Sequence, residues 1–519
     1  MKRRPRVGVL LLGIVAAVMG ACHRGGPAPA APTVRPAAPA PAPEPPGPTR
    51  VPEEGGEGTF ALEEPFISVA ASKLSTSSDR MLRGLAFHGL TRLDASGKIE
   101  PELAVRWEML RGGAEWLFHL RPDTPFANGR YFEARHAVAS WERLAAVADA
   151  RYAWLLEALN GFDDVRSGKS AHLAGLVMED GLTLRVQLTR PVKDLLFRLA
   201  HPALGVSAFG EDEQGVGSFE IWGTPRSVQV TVRSNPEYFR GLPHMDEIVF
   251  VRGEAARPAR LASGQLDASV LDPGEEAPSG PAARVFTHSV PRTYLLGLNR
   301  SRAPFARADT VRAFLGSLDR EALRRAVAGE GGQIPATLVP GVGPGAAATA
   351  PGNGTPPAGL GRIDLLIPEA DRGAALLAAK IQASLARAGG SGLLHPVNPA
   401  DIGGVLRRGD YSLFVLPFVP SGPDPLLSYE ELMQSNRSIP EPLLAQARAL
   451  EGEGNLAALF SLLGPLDAAL QEGGYLLPVL ALERRLLVRR GICGLRPDPA
   501  GILDWTRIWV NTSPGKDCP

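Results

Sequence analysis

The sequence predicts an α/β protein of several lobes. Three observations point there: short alternating apolar runs that read as strands, apolar residues at helical spacing between them, and a length of 519 residues, too long for one compact core. Residues 114–121, AEWLFHLR, place Trp116, Phe118 and Leu120 on one face of a strand. Residues 134–148 carry Ala134, Ala137, Val138, Trp141, Leu144, Ala145 and Ala148 at helical spacing. Two further strands alternate over 182–188 (Leu182, Leu184, Val186, Leu188) and 227–233 (Val228, Val230, Val232). Residues 309–328 read as one long helix capped by Asp309, with Val311, Phe314, Leu315, Leu318, Ala322 and Ala326 along one side. Residues 335–361 are rich in Pro, Gly and Ala and read as a long surface loop. Residues 363–369 form a strand, 372–388 a helix ended by Gly389-Gly390, and 411–418 a buried strand. No internal repeat is present.

The N-terminus reads as an address rather than a fold. Four basic residues in MKRRPR precede fifteen uncharged residues, Val7 to Ala21. A spanning helix needs about twenty apolar residues, so the run fits a signal-peptide core. Met19-Gly20-Ala21-Cys22 resembles the bacterial lipobox, which implies lipid on Cys22 and an exported chain held at the membrane of the cell envelope. Residues 27–52 contain eleven prolines. Such a tract buries no core and, at about 3.1 Å per residue in polyproline II, reaches roughly 80 Å. It reads as a tether.

Composition excludes several function classes. Lys+Arg and Asp+Glu are both 55, so no global field favours nucleic acid. Three cysteines are too few for a disulfide scaffold or a Cys-rich zinc site. No HExxH or G-x-S-x-G motif occurs. Gly168-Lys169-Ser170 lacks the glycine and the strand that a phosphate loop needs, and Gly341-x-Gly343 is not a dinucleotide fingerprint. The nine histidines are dispersed, with no pair at i, i+4. No catalytic residue, metal site or cofactor is expected. Export implies an oxidising compartment, where Cys493 and Cys518 either bridge or stay as two thiols.

Several blocks, in order, carry a resemblance. They are Gly89-Leu90-Thr91-Arg92-Leu93-Asp94, then Pro101-x-Leu103-Ala104-x-x-Trp107, Trp116-x-Phe118-x-Leu120-Arg121-Pro122, Phe126-x-Asn128-Gly129 and Val138-x-Ser140-Trp141-x-Arg143. Farther on come Gly215-Val216-Gly217-Ser218-Phe219, Asn235-Pro236-Glu237-Tyr238-Phe239-Arg240-Gly241, Ser263-Gly264-Gln265-Leu266-Asp267 and Leu318-Asp319-Arg320-Glu321-Ala322-Leu323. Together they resemble the family 5 solute-binding proteins of ABC transporters, the oligopeptide, dipeptide and nickel-binding group. The likeness is good over about 58–330 and weaker over 360–519. Physically these residues are mostly structural: glycines for turns, and Trp107, Trp116 and Trp141 for core.

The resemblance implies a two-lobed periplasmic-binding-protein-like fold with a hinge and an extra inserted α/β domain. The implied boundaries are a signal peptide at 1–22, a tether at 23–57, lobe I from 58–74, 206–295 and 478–519, the insertion at 75–205, and lobe II at 296–477. It also implies a monomer that hands a small solute, possibly a peptide, to ABC-permease subunits. The chain departs from the pattern after strand 411–418. Peptide binders that it resembles have an Asp there which grips the α-ammonium, and here Ser421 takes that place, with Asp424 close by. The site expected from the resemblance draws on Glu64, Phe66 and Ile67, on Tyr152 of the insertion, and on Phe418, Ser421 and Asp424. Glu64 and Asp424 would balance a cationic group. The alternative is a relative that keeps the fold but serves as an envelope interaction or signalling lipoprotein.

Overall fold

In the computed structural model the described residues are 55–511 and 518, without 127, 209–213, 227, 253–256, 272–274, 277–282, 289–291, 330, 344–356, 388 and 498–502. Cys22 and residues 27–52 lie outside them.

Three main sheets organise the described chain. The first has seven strands in the order Ala283–Thr287, Arg485–Arg489, Ala268–Val270, Glu57–Leu62, Glu247–Arg252, Gln229–Ser234 and Phe219–Arg226. The second has five, in the order Ser391–Val397, Arg362–Pro368, Leu413–Phe418, Arg292–Leu298 and Leu477–Leu482. The third, of four antiparallel strands, runs Ala104–Leu110, Glu115–Leu120, Thr183–Gln187 and Leu176–Asp180. The first sheet is the heart of one lobe and the second the heart of the other, while the third belongs to the inserted part. The chain passes between the first two sheets twice, before Arg292 and after Leu482. The passages touch, because His288 N–H donates to the Arg484 carbonyl at 2.8 Å. This is the hinge.

Period-two patterning placed the strands because one face of each is buried. Trp116, Phe118 and Leu120 are at most 3% exposed and pack on Trp141. Leu182 and Val228, just outside their strands, are exposed. Trp107 is only half-buried at the edge of the same core.

Two expectations change. Residues 309–328 form two helices, Ala308–Ser317 and Arg320–Ala328, rather than one. Asp319 breaks the run, since its carboxylate accepts from Ala322 N–H at 2.8 Å and caps the second helix. Asp309 is not a cap; it lies inside the first turn and pairs with Arg312. The stretch after residue 335 is also no surface loop at its start. Leu338, Val339 and Val342 are buried, and Leu338 N–H donates to Asp467 at 2.9 Å. Near the C-terminus Cys493 and Cys518 form a disulfide with Cα atoms 5.2 Å apart. Among the described residues no helix is long and apolar enough to cross a membrane, and no cluster of His, Cys, Asp and Glu could hold a metal.

Candidate functional site

A cavity of about 590 Å³ opens where the two lobes and the inserted part meet. Its walls come from Glu63–Pro65 on the first lobe, from Ser75–Ser77 and Arg80 at a helix whose Leu82 and Leu85 pack in that lobe's core rather than in an insertion beginning at residue 75, from Arg151 and Trp154 on the insertion, and from Arg292, Phe418 and Glu431 on the second lobe. That volume falls within the range of small-solute sites.

The Glu63–Pro65 wall is held by a buried acid. Asp79 accepts four backbone N–H groups, from Ile67 (2.7 Å), Ser68 (3.1 Å), Ser75 (2.9 Å) and Thr76 (3.1 Å). It thereby folds the loop 64–76 onto the start of helix Ser77–Ala86. Glu64 follows suit, its Oε2 accepting from Ser77 N–H at 2.6 Å and Ser77 Oγ at 2.9 Å. Arg292 stands opposite. It reaches Glu63 at 2.9 Å, Glu64 at 3.4 Å and Asp371 at 3.5 Å. Arg484, at the hinge, meets Glu63 at 2.6 Å. Burial would raise the Glu63 carboxyl, but Arg292 and Arg484 outweigh it and hold it down at about 2. Asp371 is pushed up instead, because its burial exceeds what Arg292 and the Ala374 N–H return.

A second group lies across the cavity. Arg80 Nη1 donates to the Tyr152 hydroxyl at 2.8 Å, and that hydroxyl donates to Glu431 at 3.1 Å. Arg151 Nη2 reaches Glu431 at 3.4 Å, and Ser421 Oγ donates to it at 2.7 Å. Burial works against the Glu431 charge, yet Arg80 and Arg151 keep the carboxyl below its ordinary value.

Trp154, 8% exposed, separates this group from a dry cluster behind it. Arg198 lies 5.8 Å from the Trp154 ring centre and is itself 1% exposed. It bonds Asp194 at 3.1 Å, Glu430 at 2.8 Å and Glu451 at 2.9 Å. Arg190 adds bonds to Glu451 and Glu157, both at 2.8 Å. The cluster spans the contact between the insertion and helix Pro425–Met433, every residue of which is buried.

The sequence-derived site residues divide. Glu64 and Phe418 line the cavity. Tyr152 lies just behind the wall, fully buried, as the link between Arg80 and Glu431. Ser421 reaches Glu431 but lines a smaller apolar pocket of about 110 Å³ beside Trp505. Phe66 is packed in the core of the first lobe, and Ile67 contributes its backbone to Asp79. Asp424 is in neither cavity. It is 1% exposed, caps helix Pro425–Met433 by accepting from Leu426 N–H at 2.8 Å and Leu427 N–H at 3.3 Å, and is raised to about 7 by burial and by Asp194. The pairing of Glu64 with Asp424 around a ligand cation therefore fails, because a carboxylate committed to a buried helix start has no face toward the cleft. Arg80, Arg151, Arg292, Asp371 and Glu431 were not foreseen. A signal existed for Glu430 and Glu431: two adjacent acids inside the apolar run Leu426-Leu427-Ser428-Tyr429-Glu430-Glu431-Leu432-Met433 demand buried partners.

Residues 98–438 match the family model of bacterial extracellular solute-binding proteins, family 5 Middle. The chain belongs to this family. It is 26% identical over 266 residues to the periplasmic oligopeptide-binding protein OppA of Haemophilus influenzae, a match covering 47% of this chain and 49% of that protein. It thus spans about half the length of this curated relative. Among solved structures it is similar to the murein tripeptide-binding protein MppA of Escherichia coli, with a TM-score of 0.75 and 18% identity over 89% of this chain and 100% of that one. It is equally similar to AgaA of A. tumefaciens R10, solved with agropinic acid: TM-score 0.75, 20% identity, 88% of this chain and 99% of that one. These likenesses establish the mixed α/β, two-lobed fold. The relatives are binding proteins rather than enzymes.

Proposed function

We propose that this chain is a lipid-anchored, exported binding protein that captures a small, peptide-like solute between its lobes and delivers it to the permease of an ABC transporter. One observation carries the reading: the cavity of about 590 Å³ is walled by residues from both lobes and from the insertion, so a bound solute would touch all three and favour their closure. Glu64 and Phe418 are the proposed contacts from the sequence-derived set, joined by Arg80, Arg151, Trp154 and Arg292. The peptide reading draws on relatives whose names denote oligopeptide and di/tripeptide binding. The anchor rests on Cys22 and the Pro-rich tether, which would let the body range from the membrane to the permease. Native mass spectrometry of the purified protein tests it. A co-purified small molecule that leaves on denaturation supports capture; apoprotein alone, with partner proteins retained instead, favours an envelope interaction role.

A further inference from the structure

The cleft's unused hydrogen-bonding capacity has one sign. Every buried carboxylate in its wall is already answered within the protein: Glu63 by Arg292 and Arg484, Glu64 by Arg292 and Ser77, Asp371 by Arg292 and Tyr294, Glu431 by Arg151, Tyr152 and Ser421. The donors are not all answered. Among the described residues two buried polar atoms of cavity-lining side chains lack a partner, Arg292 Nε and Trp154 Nε1; both are N–H groups, and both are shut off from the cavity itself. Among the described residues Arg80 is bonded only through Nη1, and Arg151 Nε has no partner there. A guanidinium carries five N–H donors in a planar fork that matches a carboxylate. Arg80 and Arg151 share the single charge of Glu431. On the exposed rim Arg437 and Glu369 have no ion-pair partner among the described residues, and their charges offset each other.

We propose that the cleft takes a solute bearing a carboxylate, and that Arg80 and Arg151 receive this group. The inference rests on the solute-capture reading and gives its substrate class: an acid, not a ligand anchored through an ammonium. A buried cation would have to displace an existing internal ion pair, whereas a carboxylate fills donors that now have no acceptor.

A matched pair of blocked dipeptides separates the two. N-acetylalanylalanine has a free carboxylate and no ammonium; alanylalanine amide has the reverse. Calorimetry on the full chain should find the acid bound about tenfold or more tightly than the amide, as expected for a charged hydrogen bond. Arg80→Gln should remove that preference. Arg151→Gln, at a side chain 40% exposed, should reduce it in a variant whose folding is not at risk. Equal or tighter binding of the amide overturns the inference while leaving solute capture in place. Absence of binding for both overturns peptide-like capture itself, and the inference with it.

Discussion

Glu430 and Glu431 are consecutive residues of one helix, yet they serve two regions of opposite character. Glu430 turns into the dry cluster around Arg198, where Asp194, Glu430 and Glu451 crowd one guanidinium and burial raises both Glu430 and Asp194. Glu431 turns toward the cleft, where two guanidiniums, Arg80 and Arg151, share one carboxylate. The first region has an excess of acceptors, and its centre, Arg198 with Asp194, Glu430 and Glu451, is sealed from solvent. The second has an excess of donors beside a cavity. Sealed charges can only answer one another, so they fix how the insertion meets the second lobe. Charges beside an open cavity can be completed by something that enters. Trp154 and Glu157 stand between them, both lining the cavity.

The strongest way to break this contrast is Arg198→Leu. It leaves three buried carboxylates with only Arg190 nearby, and should cost about 3–5 kcal/mol of stability in urea unfolding. Any variant that still folds should bind N-acetylalanylalanine as wild type does. A loss of affinity without loss of stability would mean that the dry cluster belongs to the binding site.

A pH-dependent effect sharpens it. The Asp424 carboxyl is raised from 3.8 to about 7, so the folded state holds its proton more tightly than the unfolded chain does. Its contribution to stability is therefore complete below about pH 4 and is lost as pH rises through about 7. Asp424→Asn keeps the helix cap and removes the titration. The variant should match wild type near pH 4 and exceed it by about 4 kcal/mol at pH 8, with solute affinity unmoved. Lower stability at pH 8, or weaker binding, would return Asp424 to the cleft.

How much of this was legible follows from which patterns are local. Trp116, Phe118 and Leu120 announce their strand because the pleat alone decides which side chains are buried. The spaced blocks from Gly89 to Arg143 suffice for the two-lobed fold, since they record turns and core contacts. Asp319 splits a helix that apolar spacing ran together, because a cap hydrogen bond interrupts the backbone without disturbing the apolar stripe. The site was legible only in part. Glu64 and Phe418 sit at ends of segments that meet at the cleft, and Tyr152 is next to Arg151. Arg80, Arg292 and Glu431 come from positions 80, 292 and 431 of the chain, and only tertiary packing makes them neighbours. Asp424 misled because a helix-capping aspartate and a ligand-binding aspartate look alike in sequence.

The contrast between the two glutamates can be measured directly, by titrating N-acetylalanylalanine into Glu430→Gln and Glu431→Gln alongside wild type. Glu431→Gln removes the one carboxylate that Arg80 and Arg151 share, so it should tighten binding of the acid about threefold or more. Glu430→Gln removes a carboxyl that burial pushes up and that faces Arg198 rather than the cleft, and should leave affinity within about twofold of wild type. Weaker binding in Glu431→Gln, or an equal shift in both variants, would contradict the division of this helix between a sealed cluster and an acid-binding cleft.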